Sequence, residues 1–229
     1  MIEAKDVALT YSDGTKALKN VNLKIQPGEL VYITGHSGSG KTSFLKLLMG
    51  IEFPTSGKLT VLGSRMKRGN DWKLRKLRRK IGPVFQEFKL IERRTALENV
   101  MIGMRILGIP PRKMKQEATE ALKKVGLGHK LNTPVEHLSW GEAQRVAIAR
   151  AVVRKPALLI ADEPTGNLDQ ENALNILHIL NSFRDDKTAV IITTHATHLI
   201  EGQDATYIRV QEGEITIERG AKQDESIFL

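Results

Sequence analysis

Three stretches make this chain read as an α/β core that binds a nucleotide, with an α-helical insert set into it. The first is Gly35-His36-Ser37-Gly38-Ser39-Gly40-Lys41-Thr42, which fits the G-x-x-x-x-G-K-[ST] phosphate-binding pattern. It follows the apolar run 30–34, of strand length, and leads into 43–49, which has a helical pattern; strand, turn and helix in that order are the context the pattern requires. The second is another apolar strand, 157–161, delivering Asp162 and Glu163 at its C-terminal end, where open α/β sheets keep their chemistry. The third is the helical region 95–125 between them, broken at Gly108-Ile109-Pro110-Pro111.

Residues 2–33 read as strands and tight turns. The stretch 7–11 is strand-like, Ser12-Asp13-Gly14 is a turn, and 17–25 alternates apolar and polar residues up to the break at Pro27-Gly28. Tyr11 is either an ordinary half-buried strand residue or a flat platform for a base. In the phosphate loop, Gly35, Gly38 and Gly40 let the backbone curl, so that the N–H groups of residues such as His36, Ser37 and Ser39 and the following helix start, with Ser43, point at phosphate oxygens. Lys41 is expected to reach the β- and γ-phosphates, and the Thr42 hydroxyl to sit on a magnesium ion bridging them. Gly50 closes the helix, and Pro54-Thr55-Ser56-Gly57 turns into a strand over 58–62.

A short apolar strand begins at Ile81 and ends in the amide of Gln86. In the second half of the helical region, Met114, Ala118, Ala121, Leu122 and Val125 share one face. A further helix is expected over 138–152, with Ser139 as N-cap and Glu142 completing a capping box. It is either simply a well-started amphipathic helix or, through Ser139, Gly141 and Glu142, a second helix N-terminus able to meet an anion. After 157–161, Asp162 is suited to orient a magnesium shell and Glu163 to hold an attacking water as general base, although a solvated acid pair after a strand is common. A turn over 164–169 leads to a helix over about 170–183. The strand 189–193 then ends at His195, a position where a lone histidine is more often structural. Residues 205–218 read as small strands with a hairpin turn at Glu212-Gly213.

The chain has no cysteine, which fits a reducing compartment. Its acidic N-terminus lacks the basic start and apolar stretch of a signal peptide, so a cytoplasmic location is expected. The apolar window 100–109 is about half the length of a membrane span and contains Arg105. The net charge of +9 is concentrated between residues 65 and 80, where nine Lys and Arg residues face one acid, Asp71. That run is either a solvated helix face or a surface for anionic lipid headgroups. Nucleic acid fits it poorly, because only Trp72 is available for stacking.

Together these stretches resemble the ATP-binding-cassette ATPases, over residues 7 to about 217. Residues 35–42 match the family's phosphate loop, Gln86 its Q-loop glutamine, 138–142 its LSGGQ signature, 158–163 its acidic motif, Asn167-Leu168-Asp169 its D-loop and His195 its switch histidine. Tyr11 lies where the family's adenine-stacking aromatic does. The resemblance implies a single domain over 1–229: an α/β core with an N-terminal antiparallel β subdomain (1–86 and about 156–220), a helical subdomain (about 87–155) and a tail (221–229). It implies ATP and Mg2+ as ligands, with Thr42, Gln86 and Asp162 at the metal and Glu163, His195 and Gln86 in catalysis. Asp169 and the signature residues Ser139, Gly141 and Glu142 would contact nucleotide across a head-to-tail homodimer that closes on two ATP molecules. This chain departs from the pattern in two places, Trp140 for the first signature glycine and Glu142 for the final glutamine.

Residues 81–88, 93–100 and 161–169 are similar to the group of short cassettes serving bacterial cell division, lipoprotein release and macrolide or antimicrobial-peptide export. Arg94-Thr95 and Gly50-Ile51-Glu52 favour the cell-division members. That likeness implies a peripheral protein at the cytoplasmic face of the inner membrane. Its partner would be the membrane protein FtsX, or a related permease, and the complex would act on regulators of peptidoglycan hydrolases.

Overall fold

Apolar runs with no polar interruption become strands covered on both faces, and here they build the central sheet. In the computed structural model, which describes residues 1–105 and 107–219, these are β3 (Leu30–Thr34), β6 (Ile81–Val84), β7 (Leu158–Ala161) and β8 (Ala189–Thr193). With β9 (Thr206–Gln211) and β10 (Glu214–Arg219) they form a six-stranded sheet in the order β10-β9-β3-β8-β7-β6, parallel except for the edge strand β10. Strand alternation divides the apolar side chains between two cores. Leu30, Tyr32, Leu159, Ala161, Val190 and Ile192 face the helical side. Val31, Ile33, Leu158, Ile160, Ala189 and Ile191 face the other.

That other side is closed by α1 (Lys41–Leu48) and by a four-stranded antiparallel sheet, ordered β2-β1-β4-β5, of β1 (Ile2–Thr10), β2 (Lys16–Ile25), β4 (Ser56–Val61) and β5 (Ser64–Arg65). The helical side holds α3 (Ala96–Arg105), α4 (Pro111–Lys124) and α5 (Trp140–Val152), which lie between β6 and β7 in sequence, and α6 (Gln170–Asn181). The break before α4 comes from Pro111 at its first position, where a missing N–H costs nothing. Its buried residues are Met114, Ala118, Ala121 and Leu122, the expected stripe.

Several boundaries differ from the sequence expectation. β1 begins at Ile2 rather than Val7, because a bulge absorbs the polar Lys5-Asp6 pair. There the Asp6 N–H donates to the Asn22 side chain at 2.9 Å, and Gly57 is required because a Cβ would strike the Asp6 carbonyl. β6 stops at Val84, two residues short of Gln86, because its partner β7 ends at Ala161, opposite Val84. The basic run contains a helix, α2 (Asp71–Arg78), capped by the Asn70 side chain. The expected tail 221–229 lies outside the described residues. Among the described residues, no helix is long and apolar enough to cross a membrane.

Candidate nucleotide site

Parallel register brings the C-terminal ends of four strands to one edge of the sheet. Ile33 pairs with Thr193, Ile192 with Ala161, and Ala161 with Val84. The residues that leave those ends are the phosphate loop, His195, Asp162-Glu163 and Gln86. The loop is held close against its surroundings: a Cβ on Gly35 would collide with the Val210 carbonyl, and one on Gly40 with the Ala17 carbonyl. Both glycines also have positive φ, 146° and 116°.

Lys41 is 4% exposed. A buried ammonium costs several kcal/mol unless paired, and here Nζ donates to the carbonyls of Gly35 at 2.9 Å and His36 at 3.0 Å. It also lies 3.6 Å from Glu163 Oε1 and 3.5 Å from His195 Nε2. His195 Nε2 in turn lies 2.5 Å from Glu163 Oε1. Cation, carboxylate and imidazole therefore form one cluster over the loop. Ser39 Oγ, buried inside the loop, has no hydrogen-bond partner among the described residues. His36, Ser37 and Gly38 are exposed at the loop's outer rim, and Thr42 is exposed at the start of α1. An unmet hydroxyl beside a ring of amides at a helix start fits phosphate oxygens.

Glu163 has φ of 46°, a left-handed conformation that is uncommon for a residue with a side chain. Its N–H donates to Thr193 Oγ1 at 2.8 Å, and the same hydroxyl donates to Asp162 Oδ1 at 2.8 Å. Thr193 thus ties both acids to the end of β8. Burial holds Asp162 above the usual carboxylate range; the Thr193 hydrogen bond opposes this and the neighbouring Glu163 charge adds to it. A hydrogen bond with Thr42 also favours its ionised form. Among the described residues no trio of His, Cys, Asp or Glu could cage a metal. One carboxylate and one hydroxyl are nonetheless what magnesium takes when phosphate oxygens and water complete its shell, so Asp162 and Thr42 fit that ion.

Around this cluster, the Tyr11 hydroxyl lies 3.0 Å from Ser43 Oγ, which sets the ring at the start of α1. Gln86 is exposed and lies alongside Gly166, in the turn that follows Glu163. Asp169 caps α6, accepting from the Asn172 N–H at 2.9 Å and its amide at 2.6 Å. These backbone and side-chain bonds from Asn172 hold its carboxyl below the usual range.

The start of α5 is a separate construction. Ser139 Oγ accepts from the Glu142 N–H at 3.3 Å while Glu142 Oε2 accepts from the Ser139 N–H at 2.9 Å, the expected capping box. Lys130 Nζ lies 2.8 Å from Glu142 Oε1, and that bond first, then the Ser139 N–H, lowers the Glu142 pKa. Trp140 is 46% exposed and leans on Phe88, with centroids 4.5 Å apart and rings tilted by 59°. Phe88 and Lys89 have positive φ, and Arg150 donates to both carbonyls, the one of Lys89 at 2.5 Å. Gly141 lies beside Leu168 and Asn172. Among the described residues, no hydrogen bond or ion pair joins Ser139, Gly141 or Glu142 to the phosphate loop.

Three contributors are not marked as such by any motif in the sequence. Thr193 had a signal, a hydroxyl at the end of an otherwise apolar strand. Lys130 and Phe88 had none, because their partners Glu142 and Trp140 are reached only through the folded chain.

The family model described as ABC transporter matches residues 18–166, more than half of the chain. The chain is 41% identical over 216 residues to the cell division ATP-binding protein FtsE of Escherichia coli, covering 94% of this chain and 97% of that one. It is 38% identical over 215 residues to FtsE of Streptococcus pneumoniae, covering 94% of each. Among solved structures, it is similar to a dimeric ATP-binding cassette in a post-hydrolysis state bound to ADP and Pi. That likeness has a TM-score of 0.84 at 36% identity, over 96% of this chain and 98% of the other.

Proposed function

The chain belongs to the ABC transporter family as an ATP-hydrolysing cassette resembling FtsE, and we propose that it is the motor subunit of a cell-division complex with a membrane partner of the FtsX type. The observation that carries the catalytic reading is the cluster of Lys41, Glu163 and His195, with Glu163 within 3.6 Å of the cation and 2.5 Å of the imidazole.

ATP binds with its phosphates in the amide ring of residues 35–42 and its base against Tyr11. Lys41 leaves its loop carbonyls to meet the β- and γ-phosphates, gaining charged acceptors for neutral ones. Asp162 and Thr42, with Gln86, would hold Mg2+, which would supply charge neutralisation at the phosphates. Glu163 accepts a proton from the attacking water and orients it, and His195 holds the Glu163 carboxylate in place. Thr193 fixes both acids at the end of β8.

Closure needs a second anion-facing helix start, and α5 supplies it from another copy. Ser139, Gly141 and Glu142 of one subunit face the γ-phosphate on the phosphate loop of its partner, with Asp169 beside them. Two helix N-termini then share one triphosphate, and phosphate release removes the attraction. Gln86 and the helical segment after it pass this change to the docked partner. In the cell-division reading the partner transmits it across the inner membrane to regulators of peptidoglycan hydrolysis, and the cassette stays peripheral at the cytoplasmic face.

The test is Glu163→Gln, expressed in the source cells and solubilised with ATP. The expected result is a stable ATP-dependent dimer, turnover reduced by about a hundredfold or more, and copurification of a membrane protein of the FtsX type. Turnover near the parent's removes Glu163 from the base role. Copurification of a lipoprotein-releasing or exporting permease keeps the motor and overturns the cell-division role.

A further inference from the structure

The sequence from residue 65 to 80 holds nine basic residues and one acid, so it carries nearly all of the chain's net +9. The fold decides which of these charges are already used. Arg78 is used: its guanidinium donates to the carbonyls of Gly50 at 2.7 Å and Met49 at 3.3 Å, closing the C-terminal end of α1. Leu77 is buried beneath α2, and Leu74 packs against the same core. The remaining basic side chains point outward and are exposed.

Exposed surfaces elsewhere in the chain interlace their charges, as Arg94 with Glu98 at the start of α3 and Lys123 with Glu120 on α4. Among the described residues, no cation of the 65–80 run forms an ion pair. Asp71 occupies the first turn of α2, where it complements the helix dipole. A groove of about 430 Å³ opens between α2 and the β4–β5 turn, lined by Arg65, Trp72, Lys73, Lys76 and Lys80 over Leu77, with no acid among the described residues of its wall. Trp72 is 69% exposed, more than any other large hydrophobic side chain described. Lys76 Nζ lies 5.4 Å from its ring centroid.

We propose that this face docks on an anionic lipid surface, with Trp72 seated at the headgroup level and Arg65, Lys73, Lys76 and Lys80 meeting lipid phosphates. The charge is complementary to such a surface and is left unneutralised by the fold. An amphipathic indole flanked by long cationic side chains is the combination that settles at a membrane interface. A single aromatic gives no row of stacking platforms, which counts against single-stranded nucleic acid. The surface is separate from the nucleotide cluster, so its occupation does not depend on ATP.

Flotation of the full chain, without nucleotide, with vesicles of phosphatidylcholine alone or containing a quarter phosphatidylglycerol tests this. The protein is expected to float only with the anionic vesicles, to be released by high salt, and to show a blue shift of tryptophan emission that is lost in Trp72→Phe. Each basic side chain near such a surface is worth roughly fivefold in partitioning. The triple change Lys73→Glu, Lys76→Glu, Lys80→Glu should therefore lower it by about a hundredfold or more. Equal flotation with neutral vesicles, parent-like flotation of the triple variant, or preference for duplex DNA at the same ionic strength overturns the proposal.

Discussion

Two helix starts in this molecule, α1 behind the phosphate loop and α5 behind Ser139, are the two anion-facing ends of the proposed sandwich, and they differ in what surrounds them. Around α1, residues at or beyond the ends of β3, β7 and β8 converge: Lys41, Glu163 and the Thr193–His195 segment are far apart in sequence, yet Glu163 lies within hydrogen-bond or ion-pair reach of Lys41, His195 and Thr193. Around α5, the contacts tune and support the helix start itself, through the Ser139–Glu142 box, Lys130 on Glu142, and Phe88 against Trp140. The first region holds a carboxylate, a cation and an acid–hydroxyl pair; the second offers amides, a hydroxyl and shape. A chain with one reactive half and one receiving half calls for a second copy to complete each site, which is the physical reason for the sandwich proposed above.

Removing the cation from the reactive half should have the largest effect. Lys41→Ala deletes a charge-assisted contact to phosphate, and ATP affinity measured by titration on the isolated chain should fall by about ten- to a hundredfold. Unchanged affinity would contradict the assignment of Lys41.

A smaller loss is expected from Thr193→Val, which keeps the shape and deletes the hydroxyl shared by the two acids. Turnover should drop by about tenfold, since the Glu163 N–H is left without its acceptor. The pH profile should also move. Burial already holds Asp162 above its ordinary range, and losing the Thr193 bond raises it further. Protonation then competes with the cation at higher pH, so the acid limb of activity shifts toward neutral. An unmoved acid limb would detach Asp162 from the metal role.

The smallest effect belongs to the receiving half. An aromatic pair is worth about 0.5–1.5 kcal/mol, or roughly two- to tenfold. Trp140→Gly frees Phe88 and opens the backbone at the start of α5, so ATP-dependent dimerisation or turnover should rise within that range while nucleotide affinity of the single chain stays the same. A fall in both dimerisation and turnover would show that the Trp140–Phe88 contact is productive.

The sequence revealed features that depend on residues near one another along the chain. The phosphate loop, the capping box at Ser139 and Glu142, the Met114 to Leu122 stripe and the hairpin turn at Glu212-Gly213 are local patterns of spacing and backbone preference. The short strand from Ile81 is legible too, but its end at Val84 falls two residues before Gln86, because strand length depends on the neighbouring strand. The run 65–80 was visibly basic, but one charged helix looks much like another in sequence. Only the fold separates Arg78, bonded to the end of α1, from the cations around Trp72, which no acid among the described residues answers.

What the sequence determined by itself is therefore the set of parts: a phosphate loop between a strand and a helix, two acids at a strand end, a second capped helix and a concentrated positive charge. The tertiary structure alone decided which parts meet. Parallel strand register carried Glu163, His195 and Lys41 to one edge, and Thr193 became the link between two acids. Lys130 came to neutralise Glu142, and Trp140 found Phe88. Those pairings join residues distant in sequence, so chain geometry sets them and no local preference encodes them.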